Sequence, residues 1–469
     1  MKFVIVGGGI SGWLSALIFS HRKPNHEYVI IESSEVNTIG VGEGTTGLFV
    51  QTIEQLPDIN VAEFIRETKA TPKIGIEFNN WSGKGSTFFN PIDGTLTTNE
   101  DFDSFLYFTY IQNSSLDTSS LHGLLKRKNK SPYTEKLKDY NSALHLDNKL
   151  TIQYLKSKSL KRKNIKYISD TVSKIERDET GKVEKIICSN NIIEGDIFID
   201  CTGYSRIFSE KSDWVSFKNN LPMNSVTTFT RKHNVSMVTK ADKLNLGWCW
   251  QIPTQERIGC GYVSCDQWGN SVIDEIKSNY PDAEILKSFK FDSGKLKKSW
   301  NHNVISLGLA YHFLEPLQAT NIHLTLVQID ILCQRCIRQT KDRTLNPDVI
   351  SIYNKHIDNL IEDFKNFINI HYSRDSRVTL TDYNKKIISL LKVRGLFFED
   401  LPQLYGCSGI GLWGHTLLGL NHLTKQECHN FLSEMNLYEE VKEISSELQT
   451  IFKNTSFISY QELIKKLSI

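Results

Sequence analysis

The chain has almost no net charge: 55 Lys and Arg stand against 53 Asp and Glu, a balance of +2. So small a surplus removes any whole-molecule electrostatic argument for nucleic acid or an anionic membrane as partner. No unbroken apolar window reaches the length of a membrane helix. The sequence opens directly on FVIV and then glycines, which reads as a strand and leaves no space for a signal peptide. Its nine cysteines are odd in number and lack a disulfide rhythm, so reduced thiols and a cytoplasmic setting are expected. Cys333 and Cys336 form a CxxC with no second pair at zinc-finger spacing, and no metal is expected there. Internal repeats and low-complexity linkers are also lacking.

At 469 residues the chain is too long for one simple core, and a two-part body is expected. Residues 3–32 read as strand, glycine turn, helix and second strand, a βαβ unit. A ribbon at 181–195 runs into a strand, Asp196–Asp200, closed by Gly203; another strand, Val304–Leu307, leads into Gly308. Three such junctions, far apart in the chain, fit one interrupted nucleotide-binding sheet. Residues 214–267 look strand-rich. From 345 onward apolar residues recur at helical spacing after an Asn346-Pro347 start. The expected class is α/β, a Rossmann-like FAD-binding fold of the GR2 monooxygenase type with a largely helical substrate lobe. Residues 1–98 and 140–330 would form the FAD module with a β-rich insert, and 99–139 and 331–469 the helical lobe. Basic stretches at Lys126–Lys130 and Lys156–Lys163 read as solvated faces.

GGGISG places Gly7, Gly9 and Gly12 in GxGxxG between a strand and a helix, with Ser11 inside the motif. Gly7 permits the tight turn, Gly9 lets a pyrophosphate approach the backbone, and Gly12 lets helix and strand pack closely. The helix N-terminus then faces the diphosphate. Glu32, twenty residues past Gly12 at the end of the second strand, suits the ribose hydroxyls. That acid fits NAD or FAD; the dispersed later junctions and the small-residue run GVGEGTTG favour FAD. In that run Gly42, Glu43, Gly44 and Thr45 are candidate cofactor contacts, together with Gly203 and Gly308. An ordinary glycine-rich turn is the competing reading.

Four separated segments resemble the flavin-dependent tryptophan halogenases: GxGxxG with GVGEGT, TPKIGIEFNNW at 71–81, GWCWQIP at 247–253, and FLEPLQATNI at 313–322. The third matches the WxWxIP signature through Trp248, Trp250, Ile252 and Pro253, and most flavin monooxygenases lack it. The resemblance implies an enzyme in which FADH2, delivered by a separate NAD(P)H flavin reductase, reacts with oxygen and halide (chloride, bromide or iodide). The hypohalous acid formed travels inside the protein to a lysine beside a small aromatic substrate.

That lysine falls on Lys73. Ile74, Ile76 and Phe78 alternate on one strand face, leaving Lys73, Gly75 and Glu77 on the other. Without the resemblance, a strand lysine beside glutamate is a solvent-facing charge. Trp248 and Trp250 also share one face; core aromatics is the plain reading, a wall beside the flavin ring the one the resemblance implies. The fourth segment departs from its family. The usual glutamate is Gln318, the serine Ala319, the threonine Thr320 and the glycine Asn321. Thr320 and Asn321 amides would bind the halide, with Asn321 accepting a left-handed turn. Gln318 can hydrogen-bond but cannot be a base, which restricts turnover to phenols, anilines and indoles unless Glu315 or His312 substitutes. Leu309 replaces an aspartate usual in flavoproteins. Tyr405, Trp413 and His415 are substrate-side candidates that core packing explains equally well. Alternatives are an aromatic monooxygenase using the same flavin directly, and a flavin-binding protein without catalysis. A homodimer is compatible with the chain.

Overall fold

The computed structural model describes residues 1–35, 42–92, 104–113, 116–234, 236–401 and 410–467. The strand Lys2–Val6 is the centre of a six-stranded sheet. It pairs in parallel with Glu27–Glu32 on one side and Ile197–Asp200 on the other. Ile165–Ser169 and Val304–Ser306 extend the parallel array, and Trp300–Asn301 closes one edge antiparallel. Phe3, Ile5, Tyr28 and Ile30 pack one face on the helix Ile10–Arg22, and Val4, Val6, Val29 and Ile31 pack the other on Val183, Ile186 and Ile193 of a β-ribbon, which is why the central strands are continuous apolar runs. The register aligns Val6, Asp200 and Ser306. Consequently the chain leaves three adjacent strands at one edge, bringing Gly7, Gly203 and Gly308 to the crevice where α/β sheets bind ligands. The junctions separated in the sequence do form one sheet.

A seven-stranded sheet stands beside it, ordered Glu284–Lys290, Ser225–Lys232, Arg257–Ser264, Gly247–Pro253, Val238–Lys243, Gly75–Asn79 and Thr87–Pro91. Its pairings are antiparallel except that between Val238–Lys243 and Gly75–Asn79. Residues 214–267 are thus strand-rich, as expected. The ribbon is three-stranded, Val172–Arg177, Val183–Cys188 and Ile192–Glu194.

The continuous strand expected around Lys73 does not form. Thr71–Lys73 belongs to a small sheet with Ala143–Leu146 and Glu43–Gly44, and the chain passes to the large sheet only at Gly75. Ile74 therefore packs with Phe89 and Leu125, whereas Ile76 and Phe78 lie in the main core. Glu77 turns outward to Lys126 at 2.8 Å.

The longest helix, Pro347–His371, starts at Asn346, whose side chain accepts from the Asp348 and Val349 amides at 2.9 and 3.3 Å. Such a cap is worth ~1 kcal/mol. The helix bridges two cores: Tyr353, Ile357, Leu360 and Phe364 pack with the sheets, Phe367 and Ile370 with a helical cluster around Trp413. The basic stretches are less solvated than expected. Lys156 pairs with Glu32, the buried Lys158 with Glu63, and Arg162 with Asp58. No described helix is long and apolar enough to cross a membrane.

Candidate active site

The glycines of the first turn have no room to be anything else. A Cβ on Gly7, at φ +117°, would meet the Cys201 carbonyl oxygen at 2.2 Å; one on Gly12 would meet the Gly7 oxygen at 1.9 Å. Around Gly9, by contrast, nothing lies within 4 Å. Gly9 caps the helix Ile10–Arg22 without a side-chain hydrogen bond, and its first turn holds no acidic residue. Open backbone amides at the positive end of a helix suit a diphosphate. Ser11 points the same way, toward Gly308, where an added Cβ would stand 2.5 Å from its Oγ. Gly203 takes φ +63° with nothing within 4 Å of its Cβ position. These residues fit FAD. Glu32 is already engaged: its Oε2 accepts from Lys156 at 2.5 Å and Tyr167 at 3.1 Å, while Oε1 lies against Gly8 on the glycine-loop side.

A cavity of about 170 Å³ adjoins this cradle. Trp248 and Trp250 project into it from one strand face, opposite Gly44, Leu309, Ala319 and Asn321. The ring of Trp250 covers Gly261, where a Cβ would clash at 2.1 Å. Leu309, in place of an acid, makes the slot more apolar. Desolvation lifts the Glu43 carboxyl on its wall to about 7. Behind Trp248 lies Glu315, 0% exposed. Its Oε2 accepts from Trp248 Nε1 at 3.4 Å and from the Tyr372 hydroxyl, while Oε1 has no partner among the described residues. Burial pushes this carboxyl up to about 7 against the lowering effect of both bonds.

Lys73 is 0% exposed, contrary to an ordinary strand lysine. Its Nζ donates to the Thr45 carbonyl at 2.9 Å. A Cβ on Gly44 would lie 3.1 Å from that nitrogen and 3.4 Å from Ala319 Cβ, so Lys73 Nζ and Ala319 both pack against Gly44, in the cofactor-side wall. Nearby, Thr71 donates its hydroxyl to the Pro253 carbonyl at 2.7 Å, which obliges His145 Nδ1 to donate to Thr71 at 3.0 Å. Burial first, then the Lys73 charge, holds that imidazole neutral.

A second cavity, about 400 Å³, begins at Thr46, the residue after Thr45. Ile76 and Gln318 line both cavities and so partition them. Gln318 donates from Nε2 to His371 Nε2 at 2.8 Å. His371 Nδ1 must be the protonated nitrogen, since its partner is the Phe367 carbonyl at 2.8 Å. Burial lowers this histidine to about 4, so it stays a neutral acceptor and fixes which way the glutamine amide points.

Thr320 and Asn321 open the helix Thr320–Ile331. The left-handed turn sits earlier than expected: Gln318 and Ala319 have φ of 68° and 57°, whereas Asn321 is helical. A helical Asn321 needs no left-handed backbone, which explains why asparagine is accepted where the family has glycine. Neither expected substitute base reaches the second cavity's described lining. Glu315 is sealed behind Trp248, and His312 is buried without a hydrogen-bond partner among the described residues and lowered to about 3 by burial and Arg206. Trp413 and His415 are core residues; His415 bonds Ser119 at 2.9 Å and Gly411 at 2.8 Å. Tyr405 lies outside the described residues. Cys333 and Cys336 are buried, their thiols pushed up to about 12 and 11. Sequence reasoning missed His371, Tyr372 and the contact of His323 Nδ1 with Thr46 Oγ1 at 2.8 Å. For His323 a signal existed: it stands one helical turn after Thr320.

The tryptophan halogenase family model matches residues 2–405. Tryptophan 7-halogenase RebH from Lentzea aerocolonigenes is 24% identical over 409 residues, covering 79% of this chain and 76% of the relative. Tryptophan 6-halogenase ThaL from Streptomyces albogriseolus is 24% identical over 411 residues, with 80% and 76% covered. Among solved structures, the tryptophan halogenase of Shewanella frigidimarina superposes with a TM-score of 0.86 at 22% identity over 100% of this chain and 97% of that one. BrvH, a flavin-dependent halogenase from Brevundimonas, gives 0.82 at 22% over 100% and 99%. These structural likenesses carry the fold, and the family match carries the chemistry: the chain belongs to the tryptophan halogenase family, flavin-dependent enzymes that use FADH2 and halide to halogenate an aromatic substrate.

Proposed function

We propose that Lys73 directs the halogenation of a neutral, electron-rich arene held in the 400 Å³ cavity. The observation that carries this is a fully buried lysine whose Nζ packs against Gly44, in the wall of the first cavity, and bonds the carbonyl of Thr45, next to Thr46 in the wall of the second. Bound as FADH2, the cofactor would supply two electrons to oxygen, so that one oxygen atom leaves as water while the other is delivered to halide, oxidising it to hypohalous acid. The amides of Thr320 and Asn321, at a helix N-terminus between the two cavities, with Asn321 in the wall of the cofactor-side one and Thr320 in that of the other, hold the halide. Trp248 and Trp250 keep organic substrate off the cofactor.

Lys73 then donates a hydrogen bond to the oxidant's oxygen and polarises the O–X bond. The arene π electrons form C–X as O–X breaks, and the departing hydroxide takes the ring proton as water. Gln318 orients the oxidant through the carbonyl that His371 leaves unused, but it accepts no proton. The described lining of the substrate cavity carries no Asp, Glu, Lys or Arg; its polar groups include Gln51, Asn90, Gln318 and His323. An amino acid's paired charges find no countercharge there, and a phenol, aniline or indole fits better than a zwitterion.

The test supplies FAD, NADH and a generic flavin reductase, with chloride, bromide and iodide screened against phenols, anilines and indoles by mass spectrometry. Halogenated product should fall at least ~100-fold in Lys73→Ala while FAD still binds. Product undiminished in that variant would remove the lysine from the mechanism, and oxygenated product without halogen would favour a monooxygenase.

A further inference from the structure

Asn90 lies on the strand Thr87–Pro91, directly across from Ile76, and both side chains line the 400 Å³ cavity. It is 2% exposed. Its Nδ2 donates to Thr416 Oγ1 at 3.0 Å, on the helix Ile410–Gly419, which ties the large sheet to the helical lobe. Its Oδ1 is buried without a hydrogen-bond partner among the described residues. A buried amide carbonyl left unsatisfied forfeits its hydration with nothing in return. Because the residue lines the cavity, a donor entering there can supply the partner this oxygen lacks. Of the other polar groups on this wall, Gln318 gives its amide N–H to His371 and His323 bonds Thr46, while Thr320 Oγ1, like Asn90 Oδ1, has no partner among the described residues.

We propose that Asn90 Oδ1 reads the substrate by accepting a hydrogen bond from the N–H or O–H on its aromatic ring. This rests on the halogenase reading and narrows it to neutral arenes carrying their own donor: indoles with a free N–H, phenols and anilines. The choice is chemically coupled to Gln318. With no carboxylate to take the ring proton, the arene must stabilise its cationic intermediate itself, and a ring nitrogen or oxygen lone pair does so. The hydrogen on that same heteroatom is what Asn90 detects, so one contact selects the activated class and helps fix which ring carbon faces Lys73. With its nitrogen donating to Thr416, the amide leaves its oxygen as the free group.

The test is isothermal titration calorimetry of the full chain with indole and with benzothiophene, which matches its shape but has no donor. Wild type, Asn90→Leu and Asn90→Asp are compared. Wild type should prefer indole about 10-fold, as one neutral hydrogen bond predicts. Asn90→Leu should bring the ratio to about one while leaving benzothiophene affinity unchanged, and Asn90→Asp, which keeps the acceptor, should retain the preference. Equal binding of both ligands by wild type overturns the proposal, as does an equal loss of both in Asn90→Leu, which would mark a packing role. If the leucine variant does not fold, the wild-type ratio and the aspartate variant still decide. Binding is read without turnover, so the two readings separate. Discrimination without halogenation overturns the proposed function alone, and halogenation without discrimination overturns this one alone.

Discussion

A buried carboxyl with one unpartnered oxygen makes stability depend on pH in a definite direction. Burial lifts Glu315 to about 7 from the ordinary value of 4.5. The folded state therefore binds its proton more tightly than the unfolded chain does. Its contribution to stability is present below about pH 4.5 and is lost as pH rises through about 7. The size is on the order of 3 kcal/mol, at ~1.4 kcal/mol for each tenfold gain in proton affinity. Glu315→Gln keeps an acceptor for Trp248 and Tyr372 but cannot ionise. Its melting temperature should match wild type near pH 5 and exceed it near pH 8. A parallel fall of both proteins between those pH values would mean that Glu315 is not the group responsible. The same residue scale explains why Lys73 stands out only through resemblance. By pattern alone it is one more lysine, and its burial depends on Gly44 and Thr45, the latter 28 residues away along the chain.

Among the elements, strand-to-glycine junctions are legible because their causes are local. An apolar run, a glycine that clashes with a neighbouring carbonyl, and a helix start follow one another within a short stretch of chain. The break at Ile74 is not legible, since the alternation of Ile74, Ile76 and Phe78 continues unbroken through a change of sheet. The turn before Thr320–Ile331 escapes the sequence for a related reason. Asparagine's tolerance of left-handed backbone points to Asn321, yet tertiary packing imposes that conformation on Gln318 and Ala319. An alanine at φ 57° carries ~1 kcal/mol of strain that glycine would not. Ala319→Gly should raise the thermal midpoint, and Ala319→Val, branched at Cβ, should lower it by more than that gain. A glycine variant less stable than wild type would show that the methyl's contact near Gly44 outweighs the strain. Gln318→Glu tests the turn's chemistry: with a base restored, anisole should be halogenated at least ~10-fold faster relative to phenol, within the ~10²–10⁴ span of general-base assistance. An unchanged ratio would mean that loss of the ring proton never limits turnover.

At the scale of the molecule, the design is two compartments with a thin partition, one against the FAD cradle and one beneath the helical lobe. Nothing in the linear pattern announces the partition, because Ile76 sits on a strand and Gln318 in the turn before a helix, and they meet only after folding. The helical lobe's contribution is the least readable part. His371, Tyr372 and Thr416 act on residues 53, 57 and 326 positions away, and helical spacing reports only that they are buried. On the proposed mechanism a partition matters because a diffusible oxidant must reach Lys73 while the arene stays off the cofactor. Ile76, 4% exposed, supplies the apolar half of that wall. Ile76→Ala cuts the side chain back to a methyl, at a stability cost of ~2–5 kcal/mol. If the wall confines the oxidant, this variant should still consume FADH2 at close to the wild-type rate but yield less halogenated arene per flavin oxidised. The missing oxidant should appear in solution, several-fold above wild type, captured by an added thioether scavenger. Lys73→Ala offers the contrast: it should also lower product, but by leaving the partition intact and removing the group proposed to retain the oxidant. Coupling in Ile76→Ala indistinguishable from wild type would mean that confinement depends on Gln318 and its His371 support instead, and the double variant Ile76→Ala/Gln318→Ala would then be the one to leak.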